Sequence, residues 1–184
     1  ETARGARRSP LHDKLITAGA CMGESTGWER PNWYAPSPNE ANYDYSYKRQ
    51  NWFDYSAGEH AATRDSVSIF DQTSFSKFEV QGPGAAVAMN RICANDVDVE
   101  TGTSVYSAWL NKRGGIEADL TVTRTGENRF FVVTGAPTQT RDFDWLTKNL
   151  PSDGSVVATD VTSAYAVLAI MGPNARAFLQ PLTD

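Results

Sequence analysis

The spacing of apolar and polar positions repeats itself once along the chain. Phe78-Glu79-Val80-Gln81-Gly82-Pro83-Gly84 is followed by apolar Ala85, Ala88, Met89 and Ile92. Ninety residues later, Leu168-Ala169-Ile170-Met171-Gly172-Pro173-Asn174 is followed by Ala175, Phe178, Leu179 and Leu182 in the same phase. Each copy predicts a strand that stops at Gly-Pro and restarts as an amphipathic helix. Gly supplies the sharp turn, and Pro blocks further ladder pairing while remaining compatible with a helix start. The i, i+3, i+4, i+7 spacing gives each helix one apolar stripe to lay on a sheet. Two similar strand–helix half-units of this kind predict a cleft between them, and function there.

The rest of the chain divides by the same criteria. Ser9 as N-cap and Pro10 at the first helical position predict a helix with Leu11, Leu15 and Ala18 on one face, ended by Gly19. Residues 23–55 hold Trp28, Trp33, Tyr34, Tyr43, Tyr45, Tyr47, Trp52, Phe53 and Tyr55 between Pro31, Pro36 and Pro38. Such a segment is too aromatic for disorder, yet it sustains neither a helical nor a strand period, which predicts an extended arm anchored by its rings. Ser56-Ala57-Gly58-Glu59 has the form of a capping box, predicting a helix to about Val67. Ser76 to Val80 alternates as a strand before the first Gly-Pro helix. An antiparallel meander follows over Ser104–Asn111, Ile116–Arg124 and Arg129–Thr134, with turns at 112–115 and 125–128. Pro137 opens a helix burying Phe143, Leu146 and Leu150, and Pro151-Ser152-Asp153-Gly154 breaks it. Strands near Ser155–Val161 and Ala164–Met171 lead into the second Gly-Pro helix. This order predicts an α+β fold with a mainly antiparallel sheet. It also predicts an aromatic arm over residues 1–55 and a folded domain over 56–184.

Composition narrows the function classes. With 184 residues, 40% hydrophobic and 21% charged, the chain can bury one sizeable core or two small half-domains. A net charge of −5 argues against a nucleic-acid partner, whose binders present a basic face. No stretch approaches the ~18 apolar residues that would span a membrane. Cys21 and Cys93 lack partner spacing, which suggests a reducing compartment, with Cys93 a small buried hydrophobe beside the Ile92 stripe. Glu1 is not followed by a signal-peptide pattern, and the chain reads as a piece of something longer.

Few residues carry legible chemistry. His12 and His60 have no ligand spacing around them, so no metal site is expected. Gly114-Gly115 lacks the spaced glycines and following helix of a phosphate loop, and no serine sits in an elbow motif. Asp119 stands out. It shares its strand face with Thr121 and Thr123, opposite Leu120 and Val122, and the Tyr106 phenol on the preceding strand can reach the same surface. Asp119 is either a solvated strand-end carboxylate or, in a partly dry cleft, an acceptor for a substrate amine that supports positive charge forming on nitrogen.

At this point the residues carry a resemblance. Ile69-Phe70-Asp71-Gln72-Thr73-Ser74-Phe75, then Gly82-Pro83, then Tyr106 and Asn111-Lys112-Arg113-Gly114-Gly115-Ile116-Glu117-Ala118-Asp119-Leu120-Thr121-Val122 resemble the folate-binding aminomethyltransferases, the glycine-cleavage T-protein family. Gly27-Trp28-Glu29-Arg30-Pro31-Asn32-Trp33-Tyr34 looks like a narrower group, the sarcosine and dimethylglycine dehydrogenases or oxidases. There the arm joins an upstream FAD-containing oxidoreductase region to the folate domain. The resemblance implies that an N-methylglycine derivative is demethylated at FAD and that its imine or formaldehyde product passes to tetrahydrofolate here, giving 5,10-methylenetetrahydrofolate. By motif, Asp119 matches the carboxylate beside the reactive folate nitrogens. Phe75 and Tyr106 match pterin-pocket positions, and Val133 matches an apolar wall. Gly135 stands where the family usually carries Asn. A downstream Glu that clamps the pterin in the family lies past residue 184, so the isolated chain is expected to bind folate weakly. The expected location is the cytoplasm of a bacterium or a mitochondrial matrix. The competing reading is a non-catalytic assembly module of the same fold that caps or orients the FAD domain, with Asp119 merely solvated.

Overall fold

The computed structural model describes residues 3–183. Nine strands and five α-helices form two compact units among them. The first unit comprises the chain up to Ser74 together with the segment from Ala166 onward; the second is Phe75–Tyr165. The α+β class and the mainly antiparallel pairing match the sequence expectation.

The second unit is built on a five-stranded sheet. Its strands are β4 (Ser76–Gln81), β5 (Ser104–Leu110), β6 (Ile116–Gly126), β7 (Arg129–Thr134) and β8 (Val157–Asp160). They lie in the order β5-β6-β7-β4-β8, every neighbour antiparallel. The strand period of two sends Phe78, Val80, Trp109, Ala118, Leu120, Val122, Phe130 and Val132 to one face. Helix α3 (Ala85–Ile92) lays its predicted stripe of Ala85, Ala88, Met89 and Ile92 into that core, and α4 (Gln139–Asn149) adds Leu146. Trp109 stacks on Trp145 with ring centroids 4.9 Å apart. Cys93 is buried in the same cluster, as its position beside Ile92 suggested. Helix α4 starts two residues after Pro137, because Ala136–Thr138 forms a 3-10 turn first.

The first unit holds α1 (His12–Thr17), a hairpin of β1 (Ala20–Ser25) and β2 (Trp28–Tyr34), α2 (Phe53–Asp65), and a two-stranded pair of β3 (Ser68–Asp71) with β9 (Leu168–Met171). Helix α5 (Ala175–Leu179) follows β9. Several sequence expectations fail here, each for a local reason. Ser9 is not the cap of α1: its hydroxyl donates to Asp71 and accepts the Leu11 N–H, and the helix begins at His12, which turns inward while Ala18 is exposed. The first half of the expected arm is the hairpin. Pro31 hid it, because it occupies β2 opposite Met22 at a register shift, where a ladder N–H can be spared. Trp28 and Trp33 are buried, Trp28 beneath the Arg7 guanidinium at 4.4 Å and Trp33 against Tyr55 with centroids 5.7 Å apart. Residues 36–52 form no strand.

The capping box also fails. Helix α2 starts at Phe53, and the Glu59 carboxylate accepts the Tyr34 N–H at 2.9 Å instead of turning back to Ser56. Strand β3 was not anticipated. The last expected strand is shorter than read, since Thr162–Ala164 is a 3-10 turn and β9 begins at Leu168.

The repeat itself is real and appears once in each unit. Gly82 and Gly172 take φ of +138° and +123°, and the amides of Ala85 and Ala175 close matching turns back to them. A Cβ on Gly82 would lie 2.0 Å from the Ser155 carbonyl oxygen, and one on Gly172 would lie 2.3 Å from that of Ser66. The fates of the two helices differ. The α3 stripe is buried, whereas Phe178, Leu179 and Leu182 on the second copy are exposed.

Candidate functional site

The five residues singled out from sequence all belong to the second unit and gather at its sheet. Residues paired across antiparallel strands share a face, and residues two apart along a strand share it too. Val133 pairs with Thr121, and Tyr106 pairs with Thr121 from the other side. Asp119 lies two residues from Thr121 along β6. Tyr106, Asp119, Thr121 and Val133 therefore occupy the face opposite the core. The Tyr106 hydroxyl donates to Asp119 Oδ2 at 3.1 Å, a diagonal cross-strand contact.

Phe75 immediately precedes β4 and Gly135 immediately follows β7, at the end where Ser76 pairs with Thr134. The two strand ends are tied together. Ser76 Oγ donates to the Gly135 carbonyl at 3.2 Å, and the Thr138 N–H reaches the same oxygen at 3.3 Å. The Thr138 hydroxyl, 2.6 Å from the buried Asp142 carboxylate, holds the turn from behind. Gly135 contributes backbone alone, as its identity requires.

The β5–β6 turn is organised by Asn111. Its Oδ1 accepts the Arg113 and Gly115 amides at 2.9 and 3.0 Å, and its Nδ2 donates to Glu117 at 3.0 Å. Gly114 takes φ of +80°, which explains the glycine there.

The electrostatics of the face are simple. Asp119 is exposed, and Tyr106 is 68% exposed. The hydrogen bond to Asp119, and then its charge, push the Tyr106 phenol above its ordinary value of 10.0. Chemically the face offers a carboxylate acceptor steered by a phenol, an apolar Val133 wall and the Phe75 position. That combination suits a flat, partly apolar ring that carries N–H donors.

Sequence reasoning overlooked Lys77. Parity places it on the same face, directly paired with Val133, yet it is 0% exposed. Its Nζ donates to the Phe75 carbonyl at 2.9 Å. The alternation of Phe78 and Val80 with Lys77 gave its face but not its burial. Among the described residues, no group of His, Cys, Asp and Glu is arranged to hold a metal ion, and no helix is long and apolar enough to cross a membrane.

Comparisons with known proteins bear on this architecture. The chain is 45% identical over its whole length to 4-methylaminobutanoate oxidase (formaldehyde-forming) from Paenarthrobacter nicotinovorans, covering 22% of that protein. It is 33% identical, again over its whole length, to the mitochondrial pyruvate dehydrogenase phosphatase regulatory subunit of Mus musculus, covering 21% of it. It is 30% identical over 93% of its length to mitochondrial dimethylglycine dehydrogenase of Rattus norvegicus, covering 20%. The chain thus spans about a fifth of the length of these relatives. Among solved structures, the glycine cleavage system aminomethyltransferase T from Bartonella henselae superposes with a TM-score of 0.77 at 28% identity, over 95% of this chain and 43% of that one. Since the GCVT N-terminal domain matches residues 11–184, nearly all of the sequence and the whole of the sheet just described, the chain belongs to the GCVT N-terminal domain family.

Proposed function

We propose that the outward sheet face of the second unit binds the pterin ring of tetrahydrofolate, and that Asp119 supports one-carbon transfer to it. The observation that carries this reading is the Tyr106–Asp119 pair, 3.1 Å apart on a face bordered by Val133, in a chain of the GCVT family. When bound, the reduced folate would supply its pterin N5 and the N10 amine beside the ring, which take up a formaldehyde-level carbon with loss of water to give 5,10-methylenetetrahydrofolate. The chain's own residues do the rest. The Asp119 carboxylate accepts an N–H from the ring and stabilises positive charge on the reacting nitrogen. Tyr106 donates to Asp119 Oδ2 and leaves the other oxygen directed by that contact. Val133 and Phe75 offer apolar and aromatic surface to the ring. Support of this electrostatic kind is worth about 3 kcal/mol, roughly two orders of magnitude in rate.

The one-carbon donor fits a product of N-methyl amine oxidation. The relatives named as 4-methylaminobutanoate oxidase and dimethylglycine dehydrogenase favour it, and both are about five times longer than this chain. We assign the FAD of that oxidation to a region outside these residues, because the Gly114-Gly115 pair closes a hairpin and does not precede a helix. The acceptor chemistry is all this chain is asked to perform.

The test is Asp119→Ala in the enzyme that joins this domain to its flavin region. Flavin reduction by the methylated amine should continue, methylenetetrahydrofolate formation should fall about 100-fold, and free formaldehyde should accumulate. Unchanged folate product would overturn the assignment.

A second reading has one observation in its favour. A relative 33% identical over the whole chain is named as a regulatory subunit. In that reading the domain is a non-catalytic assembly module, and Asp119→Ala would leave every product unchanged while the assembly with the flavin region stayed intact.

A further inference from the structure

We infer that Lys77 is a positioning residue for the candidate site, its buried amino group fixing the Phe75 carbonyl and with it the end of the face that Phe75 and Val133 border. The inference rests on the folate reading for its purpose, but its geometry stands apart from that reading.

Lys77 is the second residue of β4, and its backbone is held by neighbouring segments. It pairs with Val133 of β7, its N–H donates to Thr162 Oγ1 at 3.0 Å, and its carbonyl accepts the Val161 N–H at 2.9 Å. Its neighbours Phe78 and Val80 enter the core, so its side chain belongs to the opposite face. An outward lysine ordinarily extends its ammonium into water, and lysine is among the residues least often fully buried. Here the side chain is 0% exposed, and Nζ folds back two residues to the Phe75 carbonyl at 2.9 Å. An apolar side chain of similar length would fill the space without burying a polar group, whereas this amino group is bonded to the Phe75 carbonyl.

The Phe75 carbonyl belongs to the bend by which the chain turns into β4. That bend adjoins the Gly135 turn, whose carbonyl is fixed by Ser76 Oγ at 3.2 Å. The two clamps act on adjacent strand ends: one fixes Gly135, the other Phe75. A hydrogen bond to a carbonyl in a buried setting is strong and directional, which suits the placing of a ring wall. Lys77 itself need not touch a ligand. It acts through Phe75.

The test compares Lys77→Met and Lys77→Gln with the unaltered chain. Three quantities are read: the thermal midpoint, amide hydrogen exchange at Ser74–Ser76, and tetrahydrofolate affinity by calorimetric titration. For Lys77→Met the midpoint should shift little, and exchange at Ser74–Ser76 should quicken at least tenfold while β5 and β6 stay protected. The tetrahydrofolate dissociation constant should rise at least fivefold, and the Tyr106 titration should not move. Lys77→Gln keeps a donor and should fall between. Unchanged exchange at the bend, or exchange quickened equally across the sheet, would overturn the inference, as would failure of both variants to fold. If the unaltered chain binds no tetrahydrofolate, the folate reading fails while the exchange data still decide whether Lys77 positions Phe75.

Discussion

Glu29 and Asp119 show how differently two carboxylates are used within one chain. Glu29 is buried in the first unit, gripped by Arg4 through two nitrogens at 2.8 and 2.9 Å and by the Gly5 amide at 2.6 Å. The Arg4 hydrogen bond holds its carboxyl below the usual 4.5. A carboxyl lowered on folding contributes stability that is complete above its unfolded value and lost as pH falls through its folded one. Glu29→Gln should therefore lower the thermal midpoint at neutral pH and flatten its decline below about pH 4.5, which a series of melts will read. A parallel pH profile in the variant would show that the grip is not electrostatic. Asp119, by contrast, is exposed and accepts the Tyr106 hydroxyl. Its hydrogen bond favours the neutral Tyr106 phenol, a contribution complete below 10.0 and lost as pH rises through the raised folded value. In Asp119→Asn the Tyr106 titration, followed by absorbance, should move down toward 10.0. No movement would deny the pairing in solution. Both Asp119 and Tyr106 could be found from sequence because strand parity settles which face a residue occupies. The burial of Lys77 could not, since the same parity turns it outward.

The Gly-Pro repeat is the clearest case of an element legible in the sequence. Gly82→Ala would force a side chain into a positive φ and against the Ser155 carbonyl, which should cost at least about 2 kcal/mol in denaturant unfolding of the second unit. A loss under half that would mean the turn relaxes freely. The repeat also shows where periodicity stops informing. The stripes of α3 and α5 read alike, yet Met89 is 0% exposed and Phe178 is 43% exposed. Met89→Ser should cost about 3 kcal/mol or more, and Phe178→Ser less than about 1. Equal costs would show that α5 is covered in solution. The β1–β2 hairpin was hidden because Pro31 and the adjacent pair Trp33-Tyr34 interrupt alternation at a bulge. Trp33→Ala should remove about 3 kcal/mol, as a ring stacked on Tyr55 in a small core is lost. The capping-box motif misled because Glu59 found a better partner in the free amide of Tyr34.

For the molecule as a whole, class and pairing followed from turn chemistry and period, since hairpin neighbours are local. The membership of the units did not. Strand β9 crosses back to pair with β3, a contact between distant parts of the chain that no local pattern encodes. The first unit carries exposed Ile69, Phe70, Leu168 and Met171, whereas every candidate site residue lies in the second. The proposed pterin site is thus confined to one unit and can be addressed with this chain, even at weak affinity. Amide and methyl shifts of the isotope-labelled protein, followed by NMR during titration with tetrahydrofolate, test it most directly. Pterin binding on this face should give changes clustered at Tyr106, Asp119, Thr121, Val133 and Gly135, with those at Tyr106 and Thr121 lost in Asp119→Ala. Shifts confined to the first unit, or unaltered by that substitution, would contradict it.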